Sequence, residues 1–177
     1  MSTPVPKAAE SPWIWGPLSP LGVTVAAVTL VADQLCKLWM IYVYQITQKG
    51  KVALTPFFDL VIVWNEGISY GLFPQGSRLG QGILIGIALA ATAALLVWLA
   101  RTTSTLAAVS IGLIAGGALG NAIDRALYGA VADFFSLHGF GFYWYIFNLA
   151  DAAIVAGVIG VLYETLVRGH KKVSNPS

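Results

Sequence analysis

Carboxylates, carboxamides and a lysine recur in this sequence where its apolar stretches leave little room for them. Asp33 and Lys37 stand four apart inside one apolar run, Asn121, Asp124 and Arg125 close a second, and Asn148 and Asp151 open a third. Asp133 lies between the last two, flanked by Val131, Ala132, Phe134 and Phe135. An ionisable group at membrane depth is expensive and marks either a site or a paired structural contact. Groups of these types can relay protons, pass an ion or hydrogen-bond a polar substrate. Other chemistries have fewer candidates. Cys36 is the single cysteine and His138 and His170 the only histidines, which leaves no disulfide framework, no cysteine-ligated metal site and no His-rich metal centre. Cys36, in the middle of an apolar stretch, reads as packing.

The elements that must position these groups are membrane spans. Of 177 residues, 57% are hydrophobic and 10% charged, with a mean hydropathy of +0.75, against roughly 45–50% and 25% in an ordinary soluble domain. A span needs about 20 mostly apolar residues, and four such stretches occur, at about 21–44, 79–100, 105–124 and 147–167. The expected fold is therefore an all-α membrane protein, a four-transmembrane-helix bundle forming a single domain over 1–177, with a small extracytoplasmic β-containing region. The first stretch is too long for a secretory signal and lacks a small-residue cleavage site, so it reads as a retained span. The preceding tail, with Trp13 and Trp15, reads as irregular chain ending in an aromatic interface anchor.

Only Arg101, Thr102, Thr103 and Ser104 join the second and third spans. The longer loops, 45–78 and 125–146, then share one side and both termini the other. Lys7, Arg101, Arg168, Lys171 and Lys172 flank the termini side, against Lys49, Lys51, Arg78 and Arg125 near the loops, which favours cytoplasmic termini. Within the first loop, residues 57–64 are β-branched and aromatic and run into Asn65, Glu66 and Gly67, a strand followed by a turn. The aromatics of 140–147 read as an interface belt. The net charge of +2 is too small and dispersed for nucleic acid.

Each polar group has a bland reading beside a functional one. Asp33 and Lys37 share a helical face and either neutralise each other or help shape a site. Gly112, Gly116 and Gly120 form a ridge for close helix approach, and Asp124 continues it. Gly117, Asn121 and Arg125 form the adjacent ridge. Asp124 and Arg125 could simply anchor the helix end at the headgroups, which leaves Asn121 unexplained. Asn148, Ala152, Ala156 and Gly160 form a second small-residue ladder. Asn148 alone suits a helix cap, whereas Asp151 inside the span is harder to dismiss. The apolar flanks of Asp133 bring its segment back to the membrane surface, in range of Asp151.

Five blocks taken together resemble the signatures of the bacterial lipoprotein signal peptidase family, signal peptidase II. They are Asp33-Gln34-Leu35-Cys36-Lys37, Asn65-Glu66-Gly67-Ile68-Ser69-Tyr70-Gly71, Gly120-Asn121-Ala122-Ile123-Asp124-Arg125, Val131-Ala132-Asp133-Phe134 and Phe147-Asn148-Leu149-Ala150-Asp151. The resemblance spans nearly the whole chain. It implies an aspartic endopeptidase of the bacterial inner membrane that cuts just before the lipid-modified cysteine of prolipoproteins, near the outer membrane face. Asp133 and Asp151 would be the catalytic pair. Asn65, Gly67, Asn121, Arg125 and Asn148 would support substrate and pair, and Asp33, Lys37 and Asp124 would hold the architecture. No cofactor or metal is implied. The partners would be diacylglyceryl-modified prolipoproteins and membrane lipids, with the enzyme a monomer. Two other classes compete on the residues alone: a small transporter relaying protons through Asp33, Lys37, Asp124 and Asp151, and a scaffold using the glycine ridges to bind partner helices.

Overall fold

A computed structural model describes residues 14–67 and 77–173, leaving the side chains of residues 144 and 168–173 aside. Trp13, Lys7 and the Ile68-Ser69-Tyr70-Gly71 portion of the second block lie outside the described residues, as do the side chains of Arg168, Lys171 and Lys172. Four long helices carry the apolar stretches: α1 (Ser19–Leu38), α3 (Arg78–Arg101), α4 (Thr105–Tyr128) and α5 (Leu149–Val173). The π-helical turn Trp39–Val43 extends α1, and α2 (Ile46–Lys49) is a single turn. Four candidate spans, Ser19–Val43, Arg78–Arg101, Thr105–Tyr128 and Leu149–Val167, are 25, 24, 24 and 19 residues long, enough at about 1.5 Å per residue to cross a core of about 30 Å or nearly so.

The ends of these helices follow local chemistry. Ser77 caps α3, its Oγ accepting from Gly80 N at 3.1 Å, and Ser104 caps α4 through Ala107 N at 3.3 Å, so the short turn at 102–104 falls where the sequence places it. Two boundaries differ. α4 runs one turn beyond 124, because Ala126, Leu127 and Tyr128 continue the helix until Gly129 takes a left-handed φ of 73° and closes it. Arg125 is thus helical and does not open the second loop. α5 begins after Asn148, because Phe147 still pairs with Phe135 in a strand.

α4 is the central helix. Of its apolar window 56% is buried, against 11–22% for the other three, whose remaining apolar surface faces lipid. Its glycine ridges explain this position. A Cβ on Gly112 would lie 2.5 Å from the Gly22 carbonyl of α1, and one on Gly117 2.6 Å from the Ala150 carbonyl of α5; only glycine allows both approaches. The ladder expected on α5 is offset. Gly157, whose Cβ would meet Ser110 O at 2.6 Å, makes the close contact with α4 together with Ile154 and Gly160, while Ala152 and Ala156 are exposed. Asn148 stands outside the helix, so the row it was expected to start does not define the packed face.

Over the end where α1 and α4 finish and α3 and α5 start lies an antiparallel sheet in the order β1 (Val52–Thr55), β2 (Phe58–Asn65), β3 (Val131–Gly139) and β4 (Phe142–Phe147). The strand expected at 57–64 is β2. The second loop contributes β3 and β4, and β4 carries most of the aromatics of 140–147. Met40, Ile46, Leu60, Ala132 and Phe134 form the core beneath the sheet, with Cys36 packed against it. In the pairing of β2 with β3, Val63 stands opposite Asp133 and Asn65 opposite Val131, which makes Asn65 and Asp133 diagonal neighbours on one face.

Candidate active site

Asp133 is 1% exposed, on β3. Its two oxygens take one hydrogen bond each: Oδ1 accepts from Asn148 Nδ2 at 2.7 Å and Oδ2 from Asn65 Nδ2 at 3.2 Å. Asp151 lies in the first turn of α5, where a carboxylate is favoured by the helix dipole. It forms a reciprocal cap with Asn148: Asp151 N donates to Asn148 Oδ1 at 2.9 Å, and Asn148 N to Asp151 Oδ2 at 3.2 Å. This is a capping box with Asn and Asp in place of the usual Ser/Thr and Glu. Asn148 therefore touches both carboxyl groups, one through its side-chain amide and the other through its backbone.

Asn121, from α4, reaches the far side of Asp151. Its Nδ2 donates to Asp151 Oδ1 at 2.8 Å, while its Oδ1 accepts from Lys37 Nζ and Asn148 Nδ2, each at 3.1 Å. Two donors on the oxygen fix which way the amide points. Arg125, one turn on, donates to Asn121 O at 3.3 Å and to Gly67 O at 3.2 Å, tying the loop after β2 to α4. Gly67 N in turn donates to Asn65 Oδ1 at 3.1 Å.

Behind this layer lies a second, drier one. Lys37, 3% exposed, is 2.8 Å from both Asp33 and Asp124. Asp33 also accepts from Ala150 N at 3.0 Å, satisfying a free amide at the start of α5, and Asp124 accepts from Ala132 N at 3.2 Å. Gln34, which sequence reasoning passed over, donates to Gly120 O and to Asp124 Oδ1. The pair read as self-neutralising is thus a three-membered ion cluster, joined to the first layer at Asn121.

Burial pushes the Asp133 carboxyl up to about 7, and the nearby Asp151 charge adds to the shift, against hydrogen bonds from Asn65 and Asn148 that oppose it. Two carboxyl groups so placed do not readily ionise together. A polar cavity of about 130 Å³ opens at Asp151, lined also by Asn65, Gly67, Asn121, Arg125, Val131 and Tyr145, with Asp133 buried beside it. It has room for water and a peptide carbonyl. An apolar groove of about 660 Å³ meets it at Tyr145 and Asp151 and continues along α5 past Ala152 and Ala156. Tyr145, which accepts from Asn65 Nδ2 at 2.6 Å, was hidden among the aromatics of 140–147. The alternation of Tyr143, Tyr145 and Phe147 along β4 was the available signal.

Of the seven residues singled out as catalytic or supporting, Asn65, Gly67, Asn121, Arg125 and Asp151 line one cavity, while Asp133 and Asn148 are buried beside it and joined to it by hydrogen bonds to Asn65, Asn121 and Asp151, with Asp33, Lys37 and Asp124 behind. Comparison with known proteins agrees in kind. The family model described as Signal peptidase (SPase) II matches residues 25–167. The lipoprotein signal peptidase of Nitrobacter hamburgensis is 51% identical over 151 residues, covering 83% of this chain and 92% of the relative. That of Methylocella silvestris is 56% identical over 146 residues, covering 82% and 85%. Two solved structures of bacterial membrane enzymes, each 28% identical, superimpose with TM-scores of 0.70 and 0.67, covering 89% and 83% of this chain and 92% and 93% of theirs. With its four apolar helices and a family match over most of its length, the chain belongs to the signal peptidase II family of lipoprotein-processing membrane proteases.

Proposed function

We propose that the protein is an aspartic endopeptidase that removes the signal peptide from diacylglyceryl-modified prolipoproteins, cutting just before the lipidated cysteine with Asp133 and Asp151 as its catalytic pair. The observation that carries this reading is the meeting of both carboxyl groups at Asn148, with Asp151 lining both a polar cavity and an adjoining apolar groove. The unequal environments of the two acids support different roles for them. Asp151, held by Asn121 Nδ2 and the α5 dipole, is the base. Asp133, whose carboxyl is pushed up to about 7, carries the proton.

The base takes a proton from water as the water oxygen bonds to the scissile carbonyl carbon, and the Asp133 acid protonates the carbonyl oxygen. The resulting diol collapses with the C–N bond breaking. The proton taken up by Asp151 passes to the departing cysteine amine, and a diol proton returns to Asp133. Asn148 and Asn121 fix both carboxyl groups, and Arg125 holds the Gly67 loop beside them. The apolar groove takes the apolar part of the substrate while its acyl chains stay in lipid. The enzyme works as a monomer in the inner membrane, with cytoplasmic termini and the sheet at the outer face.

The test is cleavage of a purified diacylglyceryl-modified prolipoprotein by the reconstituted protein and its variants at matched folded amounts. Cutting before the lipidated cysteine, lost in Asp133→Asn and in Asp151→Asn but retained in folded Asp124→Asn, is the expected result. Normal cutting by Asp133→Asn would remove it from the pair.

A further inference from the structure

We propose that Gln81 is a positioning residue of the candidate site, one that acts through the turn after β2 to keep Asn65 donating to Asp133. The inference rests on the proposed function and adds a residue, and a span, that the five sequence blocks do not contain. Among the described residues, none of α3 lines the polar cavity or the apolar groove, and Leu79 and Ile83 on this helix are 75% and 55% exposed. Gln81 between them is 5% exposed, and a polar side chain buried on a span is costly unless it is hydrogen-bonded. Its Nε2 donates outside its own helix, to the Glu66 carbonyl at 2.6 Å.

Two spans thereby hold consecutive carbonyls of one turn, Gln81 of α3 on Glu66 O and Arg125 of α4 on Gly67 O at 3.2 Å. With the turn fixed, Gly67 N donates to Asn65 Oδ1 at 3.1 Å, which leaves Asn65 Nδ2 turned to Asp133 Oδ2 at 3.2 Å. The Asn65 amide has an acceptor end and a donor end, so the turn decides which end meets the acid. Without the Gln81 amide the Glu66 carbonyl is released, Gly67 N moves from Asn65 Oδ1, and the donation to Asp133 weakens. That donation opposes the rise of the Asp133 carboxyl, so its loss carries the carboxyl higher. The charged groups that face Asp133 from other elements, Lys37 of α1, Arg125 of α4 and Asp151 of α5, keep their charges.

Gln81→Met tests this, because it keeps the length of the side chain and removes its amide. Gln81→Asn keeps an amide one methylene short of the Glu66 carbonyl, and takes the same test if the methionine variant does not fold. Thermal unfolding in detergent establishes folding. With the diacylglyceryl-modified prolipoprotein as substrate, kcat should fall by about 10-fold, and the pH above which kcat/KM declines should move up by about half a pH unit. A residue that only stabilises the bundle would lower Tm and leave the pH profile in place. Unchanged kcat, or a loss with the profile in place or moved down, would overturn the proposal. A folded wild type that fails to cut overturns the proposed function and this inference with it; a wild type that cuts while Gln81→Met cuts equally overturns this inference alone.

Discussion

Asp133 and Asp151 carry the same functional group and are made unlike by their surroundings. One sits on a buried strand between two neutral amides, the other at a helix N-terminus. Loss of either should reduce kcat by about 10³-fold or more, measured on matched amounts of folded protein. The pH dependence follows from the raised Asp133 carboxyl. The proposed mechanism needs Asp133 protonated, so kcat/KM should decline as pH rises through about 7. Stability should move the same way. A carboxyl whose folded pKa lies above its unfolded value binds more protons folded than unfolded between the two, so its contribution is present below about pH 4 and is lost as pH rises through about 7. Tm of the wild type in detergent should therefore fall between pH 5 and pH 8 (on the order of two to three pH units) more steeply than that of Asp133→Asn. Lys37 has a different part. Lys37→Met strands two buried carboxylates, and truncating a buried pair costs about 3–5 kcal/mol, so a large loss of thermal stability is expected. Asp33→Asn, which leaves Lys37 paired with Asp124, should cost less.

At the scale of elements, the glycine ridges set the spacing of the helices that carry these groups. A Cβ on Gly116 would collide with the Ala26 carbonyl and the Thr29 side chain, both on α1. Gly116→Val should therefore force α1 from α4, destabilising the fold by about 1–3 kcal/mol and lowering activity as Lys37 retreats from Asn121. Detergent melting and cleavage together check this. The ridge and its direction were legible in sequence, because a four-residue glycine repeat has one principal use in a span. The sheet was only half legible. β2 announces itself by β-branched and aromatic residues ending at a turn. β3 does not, since Val131, Ala132, Asp133, Phe134 and Phe135 include no polar alternation: its first four residues are all buried, with Asp133 itself inside the site. The offset of the α5 ladder was likewise out of reach, because the packed face is set by where α4 meets the helix, Gly117 against Ala150 and Ile154 and Gly157 against Ser110 and Ile114. Most candidate site residues were legible as polar groups in apolar stretches, and the resemblance added Asn65 and the proposed roles, while Tyr145, outside all five blocks, needed the strand to be placed first.

For the whole molecule, the sheet and the cavity occupy one end of the bundle, and the 102–104 turn occupies the other. With Cys36 replaced by serine, Lys49→Cys should react with a membrane-impermeant thiol reagent added to intact cells, and Thr103→Cys should react only after permeabilisation; both positions are exposed. The reverse pattern would invert the proposed topology.

The amides at the start of α5 are satisfied from another span and from the helix's own cap: Ala150 N by Asp33, and Asp151 N by Asn148, whose side chain bonds to Asn121 and Asp133. Two other spans and a strand therefore hold the start of α5, so the fourth span and the candidate site cannot loosen independently: any change that frees α5 also parts Asp133 from Asn148 and Asp151.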